Sequence, residues 1–168
     1  ILFAVPTIYA AMIANLKKNS IKYQNLRRCV SAGEALPSQI GTDWKNITGV
    51  DILDGVGSTE MLHIFLSNKP NDITYGTSGS AVPGYDLKLV DEYGEEVAIG
   101  EIGELLVKGQ SSAMCYWNKL TKSRNTFEGK WTRTGDKYEK IKDEKYIYSG
   151  RTDDMFKVSG IWISPFEV

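Results

Sequence analysis

The stretch DGVGSTE, residues 54–60, places a hydroxyl and a carboxylate side by side after a short apolar run. Its two glycines let the backbone approach a ligand closely. The Thr59 hydroxyl can bind a phosphate oxygen, and the Glu60 carboxylate is a hard oxygen ligand of the kind that Mg²⁺ prefers. Taken alone, the same residues also fit a strand-to-helix turn that is capped by a Ser or Thr side chain.

Two later segments carry charged side chains that suit a nucleotide. The sequence TGD, residues 134–136, predicts a turn before a strand, where Asp136 can accept hydrogen bonds from two ribose hydroxyls. A plain Gly-Asp turn is the alternative. In GRTDD, residues 150–154, Arg151 offers a forked donor for a phosphate or a ribose beside two carboxylates. A solvated, ion-paired turn explains the same residues, so both segments leave the choice open.

Other motifs that suggest chemistry are incomplete. The segment GTSGS, residues 76–80, lacks the Lys of a P-loop and the closing Gly of a nucleophile elbow. His63 is the only histidine, which makes a metal cluster or a Ser-His-Asp triad hard to build. A single histidine is usually structural, but His63 closely follows Glu60 in the sequence. A role in lining a nearby pocket is therefore an equally open interpretation.

The composition argues against several classes of partner. The 20 basic and 21 acidic residues give a formal net charge of −1 without blocks of like charge, so neither a nucleic-acid nor a membrane partner is predicted. No apolar run approaches the roughly 20 residues of a membrane span. Cys29 and Cys115 lie far apart without metal-ligand spacing, which is typical of idle thiols in a reducing cytoplasm. We expect a cytoplasmic protein, and the sequence leaves its oligomeric state open.

The first half of the chain alternates predicted helices and strands. Pro6 opens a segment whose apolar residues recur at helical spacing, which predicts a helix over residues 6–18. A strand over 26–31, a helix over 37–46 that begins at Pro37, and a strand over 50–53 follow. This order predicts a layered α/β unit with parallel strands, and its last strand leads into DGVGSTE.

The second half is predicted to be antiparallel β-structure. Residues 85–89 alternate apolar and polar side chains, and a turn and a partner strand over 103–108 follow. A short helix is predicted over 121–127, and residues 138–141 and 146–148 predict a second hairpin. The predicted fold class is α/β plus antiparallel β, in which the antiparallel part is a small barrel or curled sheet. We expect three regions, 1–70, 71–150 and 151–168.

Six ordered segments together carry a family resemblance: SAGEALP, DGVGSTEMLHIF, VPGYDLKLVD, GEIGELLVKG, WTRTGDKY and GRTDDMFKVSGIWISPFEV. The set resembles the adenylate-forming acyl- and aryl-CoA synthetases, and among them the benzoate-CoA ligase branch. This resemblance implies the end of the layered α/β subdomain and the small distorted β-barrel of the large N-terminal domain, then a hinge and the start of the C-terminal domain. It also implies an internal piece, the middle-to-late third of such an enzyme, that is inactive alone.

The resemblance assigns roles to residues of this sequence. Thr59 contacts the α-phosphate and Glu60 holds Mg²⁺, which makes them the implied catalytic residues. The implied nucleotide-binding residues are Gly33, Glu34, Ala35, Asp54, Thr59, Asp136, Tyr148 and Arg151. The implied acyl pocket is lined by Ala32, Gly57, His63 and Ile64. Asp153 corresponds to the hinge, and Ser159 and Gly160 correspond to the loop that lines the coenzyme A tunnel.

The reaction that the resemblance implies has two steps and uses ATP, Mg²⁺ and coenzyme A. A carboxylate attacks the α-phosphate of ATP to give acyl-AMP and pyrophosphate, and the coenzyme A thiolate then displaces AMP. Small Ala32 and Gly57 leave room for a flat ring and Ile64 gives it an apolar wall, which suits an aromatic acid, although medium-chain or cyclic acids would also fit. Two alternatives stay open: an adenylation domain that loads a carrier protein, and a nucleotide-binding module without catalysis.

Overall fold

The computed structural model describes residues 1–19, 23–154, 156–158 and 161–163, the last two ranges by their backbone alone. The described helices are α1 (Pro6–Asn19), α2 (Ser38–Thr48) and α3 (Leu120–Thr126). The described strands are β1 (Leu2–Ala4), β2 (Cys29–Ser31), β3 (Ile52–Gly57), β4 (Ile64–Ser67), β5 (Ser80–Ala81), β6 (Asp86–Val90), β7 (Ile102–Lys108), β8 (Phe127–Glu128), β9 (Trp131–Ile141), β10 (Lys145–Arg151), β11 (Phe156–Val158) and β12 (Ile161–Ile163).

The first sheet has five strands in the order β1–β2–β3–β4–β5. The first three run parallel, with Leu2 opposite Cys29 and Ser31 opposite Asp54, as predicted for the α/β unit. Strands β4 and β5 extend this sheet in the antiparallel sense. Because β3 continues through Gly57, the residues DGVG are strand, and the chain then turns back into β4 instead of entering a helix. The strand-to-helix interpretation of DGVGSTE is therefore wrong.

Helices α1 and α2 pack with β2 and β3 around a first core. Helix α1 begins at Pro6 as predicted, and α2 begins directly after Pro37. The Tyr9 and Trp44 rings meet edge to face in this core, with centroids 4.9 Å apart. No helix in the described part of the chain has the length and apolar character that crossing a membrane requires. The buried residues of the core are Tyr9, Ile13, Leu16, Cys29, Leu36, Trp44 and Ile52.

The second sheet is antiparallel and curled, as predicted, with the strand order β10–β9–β7–β6 and with β8 paired to β9. Asp86 of β6 lies opposite Lys108 of β7. Strand β9 is longer than predicted because β10 and β7 pair with it on both sides, so that Thr134, Gly135 and Asp136 lie inside it. The prediction that TGD forms a turn before a strand is wrong.

A second core joins the second sheet to the antiparallel end of the first. Backbone hydrogen bonds connect the same regions: Ser78 N donates to Tyr146 O over 2.8 Å, and Tyr146 N donates to Gly79 O over 3.0 Å. The core residues are Met61, Phe65, Leu66, Leu89, Leu105, Val107, Tyr138 and Tyr146. Strand β4 thus pairs in one sheet and buries side chains in the core shared with the other. The division into regions 1–70, 71–150 and 151–168 stays a prediction.

Candidate functional site

The residues that follow β2 and β3 leave the first sheet at the same edge. The two strands are parallel and Ser31 lies opposite Asp54. In open α/β sheets this carboxyl edge of parallel strands is where ligands bind. Thr59 and the residues Gly33, Glu34 and Ala35 are exposed here, and Glu60 is half-buried. The predicted phosphate- and adenine-binding residues therefore lie on an accessible surface.

Three residues of the predicted acyl pocket meet where β3 pairs with β4. Gly57 lies opposite Ile64, and a Cβ at residue 57 would lie 2.6 Å from His63 O and 2.9 Å from Ile64 N. The approach of the β4 backbone therefore requires glycine at this position. The sequence analysis explained Gly57 only by the room it leaves for a ring. The structure adds a second reason for glycine here, the close approach of the β4 backbone. Ala32, which directly follows Ser31 of the neighbouring strand, is half-buried.

The Glu60 carboxylate is held by a tyrosine that is distant in the sequence. The Tyr116 hydroxyl donates a short hydrogen bond to Glu60 Oε1. Burial alone would raise the pKa of Glu60, but hydrogen bonds from Tyr116, from its own backbone N–H and from Ser58, with the charge of Lys122, lower it. Burial and the facing carboxylate raise the pKa of Tyr116. Glu60 is therefore ionised at neutral pH, the state that a cation requires.

The 109–118 segment, which connects β7 to α3, carries this tyrosine and is fastened to the same turn. Ala113 N donates to Glu60 O over 2.7 Å, and Ser111 Oγ donates to Met61 O over 2.7 Å. Sequence reasoning missed Tyr116 because it lies 56 residues from its partner, in a segment without regular structure. No local pattern in SSAMCYWN signals the contact.

Asp136 and Arg151 form an ion pair across β9 and β10. They lie opposite each other in the ladder, and Arg151 Nη1 donates over 2.9 Å to both Asp136 Oδ1 and Thr134 O. Burial raises the pKa of Asp136, and the Arg151 guanidinium offsets only part of that effect. Thr152 N donates to Gly135 O over 2.8 Å and fixes the chain directly after the arginine. The two predicted ribose-binding residues are thus in direct contact.

Electrostatic effects connect this ion pair to Glu60. After burial and Arg151, the negative charges of Glu104 and Glu60 also act on Asp136, and both raise its pKa. The half-buried Tyr148 belongs to the same region, because burial and the charge of Asp136 raise its pKa. The charges of Glu60, Asp136 and Arg151 therefore influence one another, although the residues come from separate parts of the chain.

Asp54 is a buried carboxyl within β3, where it lies opposite Ser31 of β2. It is 4% exposed, and its Oδ1 has no hydrogen-bond partner among the described residues. Burial raises the pKa of Asp54 to about 7, although the Ser78 hydroxyl and the backbone N–H groups of Gly55 and Leu36 oppose the change. A buried polar atom without a partner is unusual in a folded protein and suits a position that a ligand completes. The nucleotide-binding role of Asp54 stays a prediction.

The oxygen donors at the turn fit a divalent cation that shares its ligands with a substrate. Thr59 supplies a hydroxyl and Glu60 an ionised carboxylate, both suited to Mg²⁺. The described residues hold no group of three His, Cys, Asp or Glu side chains that could bind a metal by themselves. Mg²⁺ commonly takes one or two carboxylates together with substrate phosphates and water, which matches this sparse set.

Three further predicted residues lie near the end of the chain. Asp153 is exposed in the turn that follows β10, and its role as a hinge stays a prediction. Ser159 and Gly160 lie outside the described residues. Their predicted role in binding coenzyme A also stays a prediction.

Comparison with known sequences places the chain among enzymes. The family model for the AMP-binding enzyme matches residues 1–117. The whole chain is 59% identical to a 4-hydroxybenzoate–CoA/benzoate–CoA ligase of Rhodopseudomonas palustris and 56% identical to a benzoate–CoA ligase of Thauera aromatica. It covers 31% and 32% of these two proteins, so it spans about a third of the length of the curated relatives it matches.

Comparison with solved structures agrees with the fold. A crystal structure of an anthranilate CoA ligase in complex with anthranoyl-AMP gives a TM-score of 0.93 at 50% identity, over 99% of this chain and 32% of that one. A benzoate CoA ligase from Burkholderia xenovorans gives a TM-score of 0.86 at 47% identity, over 99% of this chain and 33% of that one. The predicted fold class is confirmed by these two neighbours.

Proposed function

This chain belongs to the AMP-binding enzyme family, and we propose that it is part of an ATP-dependent ligase that joins an aromatic carboxylic acid to coenzyme A. The observation that carries the proposal is the pairing of Asp136 with Arg151, together with a Glu60 carboxylate that Tyr116 holds ready for a cation. The names of the relatives at 59% and 56% identity, a 4-hydroxybenzoate or benzoate ligase in one case and a benzoate ligase in the other, support an aromatic acid as the substrate.

In the proposed reaction the acid carboxylate attacks the α-phosphate of ATP, which releases pyrophosphate and leaves acyl-AMP. The coenzyme A thiolate then attacks the acyl carbon and releases AMP. Neither step needs a strong side-chain base, so positioning and the neutralisation of phosphate charge are the main tasks of the site. Thr59 binds the α-phosphate, and Asp136 accepts hydrogen bonds from the ribose hydroxyls while Arg151 holds its carboxylate in place.

The remaining nucleotide contacts come from the two sheet edges. Gly33, Glu34 and Ala35 border adenine through their backbone, Asp54 lies at the same edge, and Tyr148 packs against the nucleotide. Glu60 would hold Mg²⁺ together with the phosphates, and the ion supplies positive charge that offsets the charge of the phosphates. Tyr116 keeps the Glu60 carboxylate ionised and oriented for this task.

The acid is proposed to bind where β3 meets β4. Ala32, Gly57 and Ile64 surround a flat ring, and His63 lines the same pocket. Coenzyme A is proposed to reach the site along the loop of Ser159 and Gly160, and Asp153 is the proposed hinge. A cytoplasmic location is supported by the free thiols of Cys29 and Cys115.

The test uses the full-length protein that contains these residues. Benzoate, ATP and Mg²⁺ should release pyrophosphate only when all three are present, and added coenzyme A should yield benzoyl-CoA, identified by its mass. The Glu60→Ala variant should lose at least about a hundredfold in the rate of pyrophosphate release, since a charged group at the reacting phosphates is removed. Equal rates for the two proteins would contradict the proposed role of Glu60.

The same assay separates the two alternative functions. An adenylation domain would transfer the acyl group to a phosphopantetheine-bearing carrier protein and none to coenzyme A. A non-catalytic module would bind AMP in a calorimetric titration and release no pyrophosphate. Either result would replace the ligase proposal.

A further inference from the structure

A chain of hydrogen bonds beside the nucleotide site uses both ring nitrogens of His63. His63 Nδ1 donates to Ile64 O over 2.9 Å, and Nε2 lies 2.9 Å from the Tyr85 hydroxyl. That hydroxyl lies 2.7 Å from Ser111 Oγ, which donates to Met61 O over 2.7 Å. Because Nδ1 donates to a carbonyl, Nε2 of the neutral imidazole is an acceptor and the Tyr85 hydroxyl is its donor, so both ring nitrogens are bound to the protein.

Tyr85 is fixed in place by its neighbours. Its ring meets His63 edge to face at 5.6 Å between centroids and packs against Phe65 at 6.4 Å. A Cβ at Gly109 would overlap Tyr85 Cδ1 and Cε1, so the ring lies directly on the backbone of the 109–118 segment. Ser111 belongs to the same segment, which is also fastened to the Glu60 turn. The imidazole is therefore held by a group of packed residues rather than by one isolated contact.

The surface that His63 leaves accessible is made of carbon. The side chain is exposed, and the ring atoms without a hydrogen-bond partner are its carbon atoms. A substrate hydroxyl that loses water against such a wall finds no donor or acceptor in exchange, which costs binding free energy. An unsubstituted aromatic ring loses nothing there.

We propose that Tyr85 and Ser111 are positioning residues that set the choice of acid. By occupying the nitrogens of His63 they give the acyl pocket a carbon wall, which favours an aromatic acid with an unsubstituted ring over a hydroxylated one. The proposal rests on the proposed function, which places His63 in the acyl pocket. Neither residue touches the acid, and both act through the orientation of the imidazole.

The experiment compares kcat/KM for benzoate with that for each of the three monohydroxybenzoates, in the full-length protein and its Tyr85→Phe variant. The variant keeps the ring on Gly109 and removes only the hydroxyl, so Nε2 becomes available to the substrate. The ratio of benzoate to at least one hydroxybenzoate should fall about tenfold, the effect of one hydrogen bond gained by the competitor. Tyr93→Phe, at a tyrosine that is 83% exposed in the turn between β6 and β7, should leave the ratio unchanged.

A second pair of proteins tests whether Tyr85 acts through His63. In a His63→Ala background, Tyr85→Phe should no longer change the ratio, because the ring that Tyr85 orients is gone. A change below about threefold for all three isomers overturns the proposal, and so does an undiminished change without His63. Should Tyr85→Phe fail to fold, Ser111→Ala removes the neighbour that holds the Tyr85 hydroxyl, and its crystal structure shows whether that hydroxyl leaves Nε2. A hydroxyl that leaves Nε2 together with a fallen ratio supports the proposal, and an unchanged ratio or a hydroxyl that stays on Nε2 overturns the role of Ser111.

Failure of the proposed function is visible before any variant is compared, because the wild-type protein would then form no acyl-CoA from any of these acids. The positioning of His63 is in that case decided by crystal structures of the wild-type and Tyr85→Phe proteins. An Nε2 that has no protein hydrogen bond in the variant, whether the imidazole stays or turns, supports the role of Tyr85. An Nε2 that is bound to another protein group in the variant overturns it.

Discussion

Two carboxyl groups near the end of β3 titrate in opposite directions because their surroundings differ. Asp54 is buried, with one oxygen unpartnered, and burial raises its pKa to about 7. At Glu60 the hydrogen bonds, led by that from Tyr116, outweigh burial and lower the pKa. The sequence DGVGSTE shows that both residues are acids but does not predict that their pKa values shift in opposite directions. That difference depends on burial and on Tyr116, which lies far along the chain.

Replacing Asp54 by Asn should change stability in a pH-dependent way. The pKa of Asp54 rises from its ordinary 3.8 in the unfolded chain to about 7 in the folded one. Between these values the folded state binds more protons than the unfolded state, so the wild type loses stability as pH rises. Asparagine has no such proton, so the advantage of Asp54→Asn should grow by up to about 4 kcal/mol between pH 4 and pH 7 and then level off. Chemical unfolding of the full-length wild type and of Asp54→Asn at several pH values measures the difference in their free energies of unfolding. A difference that does not change with pH would contradict the raised pKa of Asp54.

Removing the Tyr116 hydroxyl should weaken binding of a divalent cation at Glu60. Tyr116→Phe leaves the carboxylate without its anchor, and loss of such supporting contacts commonly costs about tenfold or more in metal affinity. Titration of Mn²⁺ in the presence of ATP, followed by electron paramagnetic resonance, measures the affinity without turnover. Tyr75→Phe is a matched control. The Tyr75 hydroxyl donates a hydrogen bond of 2.9 Å to the Asp51 carboxylate, and neither residue belongs to the candidate site. Equal affinities for the two variants would argue against a role for Tyr116.

At the scale of elements, helix starts were predictable and strand lengths were not. Pro6 and Pro37 mark the beginnings of α1 and α2 because proline fits the entry to a helix. Strand β9 spans Trp131–Ile141, well beyond the predicted hairpin, because pairing with β7 and β10 decides its length. The same holds for β3, which β4 extends to Gly57. Pairing partners that lie elsewhere in the sequence leave no local pattern to predict from.

The junction of β3 and β4 should be sensitive to one methyl group. Gly57→Ala places a Cβ 2.6 Å from His63 O, which forces the two backbones apart, and we expect a loss of about 2–3 kcal/mol in stability. Gly55→Ala in the same strand is the control, because its Cβ would meet side chains and no backbone: two Ile64 carbons at 3.0 and 3.2 Å and Ser67 Oγ at 3.5 Å. Chemical unfolding of both full-length variants gives the comparison. A larger loss for Gly55→Ala would contradict this account of the junction.

At the scale of the whole molecule, the motifs predicted the fold class, because six ordered segments resemble one family. The contact between Asp136 and Arg151 was visible only in the structure. The sequence did not predict the residues that hold the side chains of the site in place. Tyr116, Tyr85 and Ser111 act through contacts with residues that lie far away in the chain, and each belongs to a type that is common on ordinary surfaces.

The distance in sequence between Glu60 and Tyr116 also has a consequence for folding kinetics. Their hydrogen bond joins residues 56 positions apart in the sequence. Closing a long loop costs chain entropy, which the favourable free energy of the contact must offset. We expect a contact of this kind to form late in folding, because the chain between the two residues must first be ordered. On this expectation the carboxylate at the turn acquires its final orientation only when β6 and β7 have assembled. A chain in which those strands have not yet paired has the complete DGVGSTE sequence and still lacks the oriented Glu60 that its proposed chemistry needs.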